Sequence, residues 1–142
     1  MASTVLVTGA AGAIGSATVR ALRAEGRRVV RLDKEPAAAG LDAVDWIQHD
    51  LLDTSATERL LAESPLLNGL QHVVAAAGGP TDEGVGRLDP VDVPVEVFAA
   101  SVMLNLVAQY AIVRAGANRI EAETPHGDRS ITLVSSINAL RG

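Results

Sequence analysis

The chain has 142 residues, 48% of them apolar, a formal net charge of −5 and no cysteine. That length suits one domain with enough apolar surface to build a core, although much of the apolar content is alanine. The acidic balance, without any Lys/Arg-rich cluster, excludes a nucleic-acid surface, and the lack of cysteine excludes disulfides and thiolate metal sites. His49, His72 and His126 are too scattered for a ligand set; they are expected as surface or loop residues, and no metal is predicted. The chain enters an apolar strand at once, with no signal-peptide pattern, and no apolar run looks long enough to span a bilayer, so a cytoplasmic protein without a membrane partner is expected.

The first predicted strand covers residues 3 to 8 and is apolar on both faces, as in a central parallel strand covered by helices on either side. It runs into Thr8-Gly9-Ala10-Ala11-Gly12-Ala13-Ile14-Gly15, which opens a helix predicted from Ala13 to Glu25, with Gly26 placed to end it. Ile14, Ala17, Ala21 and Leu22 are expected on its inner face. A strand that ends in a glycine-rich turn and opens into a helix leaves backbone N–H groups without intrahelical partners beside the positive end of the helix dipole. Such a place binds diphosphate. Gly9, Gly12 and Gly15 fit a positive φ, close backbone approach to the ligand, and tight packing of helix on strand.

The second strand, Arg28 to Leu32, is followed by Asp33, close to the expected distance from the turn for the acid that binds an adenosine ribose. Ribose hydroxyls donate to such a carboxylate and a 2′-phosphate meets its charge, so Asp33 favours NAD over NADP. Lys34 and Arg31 pull the other way, since either could pair with that phosphate. Pro36 to Gly40 reads as a loop. Val44 to His49 reads as a third, edge strand that ends at Asp50-Leu51. Asp53 or Thr54 caps a helix running to about Ser64, before Pro65 and Asn68-Gly69 break the pattern. The fourth strand, Gln71 to Ala77, opens into Gly78-Gly79-Pro80 and a loop reaching about Asp89. A long helix is predicted from roughly Pro94 to Glu121, with Pro94 in its first turn. Last comes Ser130 to Ser135. The alternation gives a single α/β domain with a doubly wound parallel sheet, about five strands in the order 3-2-1-4-5 and helices on both faces.

These segments together resemble the N-terminal part of the short-chain dehydrogenase/reductase family, over essentially all 142 residues. Thr8-Gly9-x-x-Gly12-x-Ile14-Gly15 looks like its cofactor turn, with Ala13 where the commonest form has glycine, a spacing nearer the extended subgroup. Asp33 corresponds to the NAD-selecting acid. Asp50-Leu51 is similar to the pair that contacts adenine, the carboxylate accepting from the exocyclic amine and the next N–H donating to the ring. Ala75-Ala76-Ala77-Gly78 resembles the Asn-Asn-Ala-Gly motif without its asparagines, which removes side chains that steady the sheet. The resemblance implies that Asn105 anchors a relay water and that Ser136, reached through Ile131-Thr132-Leu133-Val134-Ser135, is the catalytic serine. Taken alone, Asp50 could belong to a helix cap, Asn105 could bond neighbouring backbone, and Ser136 could be a turn residue.

In that family a Tyr-x-x-x-Lys pair follows the serine strand and handles the hydroxyl proton. Residues 1–142 hold one tyrosine, Tyr110, with Arg114 four residues on. Its place before the serine strand and the permanent charge of the guanidinium make it a helix core or interface residue. The resemblance therefore implies an NAD(P)-dependent oxidoreductase acting on a small carbonyl or alcohol, with this chain as a cofactor-binding portion, truncated relative to the full fold and inactive alone. The alternative is a non-catalytic dinucleotide-binding module or a subunit of a split assembly. The expected partners are the dinucleotide, the substrate, and either a second copy paired through the long helix or a completing C-terminal segment.

Overall fold

The computed structural model describes residues 3–38, 44–79 and 89–136. Five parallel strands, β1 (Thr4–Thr8), β2 (Arg28–Asp33), β3 (Trp46–Gln48), β4 (Leu70–Ala75) and β5 (Ser130–Leu133), lie in the order β3-β2-β1-β4-β5. This is the predicted sheet order, and it follows from strand chemistry. β1 is buried along its whole length, as a strand needs to be when it is covered on both faces.

Strand alternation divides the core in two. Val5, Val7 and Val29 pack with Ala10 and Val19 under helix α1 (Ala13–Ala24), whereas Leu6, Val30, Leu32 and Val73 pack with Leu61, Ile112 and Ile120 of helices α2 (Thr54–Glu63) and α4 (Ala108–Glu123). Gly116 lets α4 lie close on β4, for a Cβ there would stand 3.1 Å from a methyl of Val73.

Helix ends follow the sequence signals. At the end of α1, Gly26 takes φ +76°, its N–H donates to Arg23 O, and Arg27 N–H donates to Leu22 O, a Schellman closure. Asp53 caps α2, its Oδ1 accepting from Ala56 N–H at 2.9 Å. Five expectations about these elements need correction. The inner face of α1 is Gly15, Val19 and Leu22, and Ile14 is 57% exposed; the glycine stripe that must touch the turn sets the helix rotation. β4 ends at Ala75, because Ala77 N–H leaves the ladder to donate to Thr8 Oγ1. β3 keeps only Trp46–Gln48, and β5 ends at Leu133. The predicted long helix is three segments in one run, α3 (Val95–Val102), a π-helical turn (Met103–Val107) and α4, with Pro94 as N-cap.

This 29-residue helix, Val95–Glu123, has a mean hydropathy of 1.6 in its most apolar window, enough by length and composition alone to cross a membrane. The expectation that no segment is apolar enough does not hold. In the structure, however, α4 forms one layer of the sandwich. Arg114 pairs with Glu58 of α2, and Arg119 donates to the carbonyls of Ala62 and Ser64 and to Asn68 Oδ1 while pairing with Glu123. These guanidinium bonds fill the orphan carbonyls at the end of α2. The predicted loop after Gly79 and the end of the Pro36 to Gly40 loop lie outside the described residues.

Candidate cofactor site

Three side chains hold the carboxyl end of the central strands. Thr8, fully buried, accepts Ala77 N–H on its hydroxyl; Gln109 Nε2 donates to Ala77 O at 2.8 Å; Asn105 Oδ1 accepts from Gly79 N–H at 3.0 Å and its Nδ2 donates to Gly79 O at 3.1 Å. Of the two alanines that replace the expected asparagines, Ala75 ends β4 and Ala76 opens the loop that is steadied, at Ala77 and Gly79, from β1 and from the long helix. Gln109 carried no sequence signal beyond a polar residue amid an apolar helix. Asn105 lies in the π-helical turn, a deviation that recurs at functional sites. Its Nδ2 also donates to Ser101 O, so the amide is already engaged and a relay water would compete with these bonds.

The glycine turn is closed against this loop. Gly9 takes φ +67°, and a Cβ there would lie 2.7 Å from the Ala77 backbone. At Gly15 a Cβ would lie 2.0 Å from Gly9 O, so α1 can start here only without a side chain. Gly12 differs. It takes an ordinary φ of −71° as N-cap and borders the cavity, with only Gly9 O near its missing Cβ, at 3.3 Å. The first intrahelical donor is Ser16 N–H, to Gly12 O. The N–H groups of Ala13, Ile14 and Gly15 therefore precede the ladder at the positive end of the helix, and the side chains of Ala13 and Ile14 are exposed beside them.

Asp33 joins turn to strand. It is 9% exposed; Oδ2 accepts Ala11 N–H at 2.8 Å and Oδ1 accepts Glu35 N–H at 3.0 Å. A carboxylate has about four acceptor positions, so these bonds orient it and leave capacity for two hydroxyls. Arg31 is not placed to oppose it. Its guanidinium is buried against the Trp46 ring, 5.3 Å from the centroid, under α1. Lys34 remains beside the site.

One cavity of about 530 Å³ collects these features. Gly9, Gly12, Asp33, Asp50, Leu51, Ala76, Ala77 and Gly78 all line it, as do Lys34, Glu35, His49, Leu52, Ala100 and Leu104. Ala100 and Leu104, four apart on the long helix, give it an apolar wall that the sequence reading had not assigned. Asp50 serves twice, for its Oδ1 accepts Leu52 N–H at 3.0 Å while the residue borders the cavity. Ser136 is exposed just past β5, at the sheet end shared with Ala75, whose carbonyl accepts Val134 N–H. Tyr110 is 65% exposed and Arg114 is drawn away to Glu58, which leaves Tyr110 a surface residue and removes the helix-core reading.

Residues 5–119 match the profile of the NAD dependent epimerase/dehydratase family. The chain belongs to this family. The matched span of this epimerase/dehydratase relative takes in the glycine turn, Asp33, Asp50 and Asn105, and leaves Ser136 outside. An L-rhamnose 1-dehydrogenase (NAD(P)(+)) of Azotobacter vinelandii (strain DJ / ATCC BAA-1303) is 31% identical over 154 residues, covering 98% of this chain and 57% of that protein. The crystal structure of a short chain dehydrogenase/reductase family oxidoreductase from Burkholderia thailandensis is 30% identical, with a TM-score of 0.74 over 100% of this chain and 55% of that one. One from Brucella ovis, solved with a partially ordered NAD, is 27% identical, with a TM-score of 0.73 over 92% of this chain and 61% of that one. The short-chain dehydrogenase/reductase resemblance read from the sequence thus holds for fold and family. The chain spans little more than half the length of these relatives.

Proposed function

We propose that this chain forms the dinucleotide-binding portion of an NAD(P)-dependent oxidoreductase acting on a carbonyl or alcohol. The observation that carries this reading is the single cavity lined by the glycine turn, Asp33, Asp50-Leu51 and the loop after β4. Its residues fit a dinucleotide. The N–H groups of Ala13, Ile14 and Gly15 offer donors for the diphosphate, Gly12 leaves room where a Cβ would intrude, Asp33 accepts ribose hydroxyls, and Asp50 with the Leu51 backbone meets adenine. When bound, the nicotinamide supplies or accepts the hydride. Asp33 favours NAD, and among the described residues Lys34 is the cation of the cavity wall that could hold a 2′-phosphate.

Ser136 would orient the substrate oxygen, and Asn105 positions the loop on which the nicotinamide half would rest. Residues 1–142 contain no Tyr-x-x-x-Lys spacing, and we place the acid–base pair outside them. Val95, Phe98, Leu106 and Tyr110 expose a large apolar face along the long helix, which supports pairing of two copies there; light scattering on the purified protein tests it. The functional reading is tested by calorimetric titration with NAD, NADH, NADP and NADPH, followed by NADH consumption with a panel of ketones. Binding of NAD without turnover by residues 1–142 is expected. No heat with any of the four would refute the cofactor site, and steady turnover would refute the placement of the acid–base pair.

A further inference from the structure

His49 enters the cavity wall with half of its ring already committed. It follows β3, where its backbone N–H donates to Asp33 O at 2.8 Å and so fixes it beside the acid of the second strand. Its Nε2 lies 2.7 Å from Thr57 Oγ1. Thr57 is fully buried, and its hydroxyl stands 3.0 Å from Asp53 O, one turn back in α2. A hydroxyl has one proton to give. With that proton on Asp53 O, Thr57 accepts at His49, so Nε2 carries the ring hydrogen. The neutral ring then has a bare Nδ1, an acceptor without a protein partner among the described residues.

A bare imidazole nitrogen on a residue that lines the cavity with Asp33 and Asp50 can accept a hydrogen bond from a ligand there. We propose that His49 is a specificity-determining residue of the adenosine subsite, neutral and hydrogenated on Nε2 by its anchor on Thr57, with Nδ1 accepting a hydrogen bond from the adenosine half of the dinucleotide. The inference rests on the dinucleotide reading of this cavity. Two groups of that half can donate, the exocyclic amine of adenine and the ribose hydroxyls, and both present the same neutral donor. Asp50 can take only one hydrogen of the amine per oxygen, which leaves the other for Nδ1. The general value of such residues is selective: an acceptor in the wall favours a ligand that brings a donor to it over one that brings another acceptor.

Two substitutions separate the nitrogens. Asparagine places an acceptor at the position of Nδ1, and glutamine keeps a donor near that of Nε2. Using the full chain, NAD is expected to bind His49→Asn within about twofold of the unsubstituted protein and His49→Gln roughly fivefold more weakly, the worth of one neutral hydrogen bond. Equal weakening in both, or in neither, overturns the proposal. The hypoxanthine analogue of NAD, whose amine is replaced by a carbonyl oxygen, distinguishes the sources. If the amine is the donor, the analogue binds the unsubstituted protein more weakly than NAD by the shares of both Asp50 and His49, and the difference shrinks about fivefold in His49→Gln, leaving the share of Asp50; if a hydroxyl is, both ligands weaken equally in His49→Gln. Ring ¹⁵N spectra of the unsubstituted protein need no variant. They are expected to show hydrogen on Nε2 and an Nδ1 resonance that moves upfield when NAD is added. NAD binding that leaves Nδ1 unmoved overturns the assignment while sparing the cofactor site, whereas NAD that fails to bind at all refutes the site itself.

Discussion

The three glycines of the first turn separate into two kinds when alanine is put in their place. At Gly15 the new Cβ would lie 2.0 Å from Gly9 O, where contacts under 3.0 Å do not persist, so the start of α1 must retreat by about 1 Å. Gly9 O cannot turn aside, because Gly12 N–H donates to it at 3.0 Å. Overpacking of this kind costs about 1–3 kcal/mol, loss of the Gly12 bond about 1 more, and the better helix propensity of alanine returns about 1, leaving a net cost of about 1–3 kcal/mol. For a domain of this size that lowers Tm by roughly 3–12 °C. At Gly12 the backbone already has φ −71° and the nearest atom is 3.3 Å away, so alanine is expected to change stability by less than about 1 kcal/mol. Its methyl would instead stand at the cavity wall. Thermal unfolding followed by circular dichroism, and calorimetric titration with NAD, read the two effects separately. Gly15→Ala is expected to fail in both, and Gly12→Ala to melt normally and bind NAD at least tenfold more weakly. A Gly12→Ala protein that binds NAD like the parent, or unfolds as early as Gly15→Ala, would show that the turn does not face the ligand as argued.

Further outcomes follow from the same geometry. Asp33→Asn removes the charge and keeps one acceptor, so the ratio of NADP to NAD affinity should rise about tenfold in competition titrations; an unchanged ratio would end the account of cofactor choice. Arg119→Met strips donors from Ala62 O, Ser64 O and Asn68 and should cost about 3 kcal/mol in urea unfolding, while Arg119→Lys, lacking the planar fork, should recover less than half; equal stability of Met and parent would refute the clamp. Tyr110→Phe should leave the melting temperature and NAD affinity unchanged, since the phenol is exposed and Arg114 is held by Glu58; a shift in either would refute the surface reading of Tyr110.

The sheet order was legible because each strand is short, apolar and punctuated, and because the glycine turn announces a βαβ unit. Boundaries were less so. Whether Ala76 and Ala77 continue β4 depends on Thr8 and Gln109, residues 69 and 32 positions away in the chain, and no local pattern encodes that. The face of the long helix was unreadable for a different reason. A π-helical turn shifts the register midway, so the 3.6 period that would place Ala100 and Leu104 at the cavity does not run through the whole segment. His49 looked like one of three unremarkable histidines until α2 brought Thr57 to its ring. Arg31 and Lys34, equivalent as flanking cations in the sequence, part company because Arg31 lies within β2, buried against Trp46, whereas Lys34 follows the strand's end at the cavity wall.

The loop after β4 is held by side chains rather than by a ladder. Ala77 N–H rests on Thr8, Ala77 O on Gln109, and Gly79 on Asn105. Its place therefore depends on Thr8 and on the helix behind it rather than on strand pairing, so the lip of the cavity is set from α4 and the π-helical turn. Asn105 and Gln109 can therefore be changed to move that lip without touching the glycine turn or Asp33.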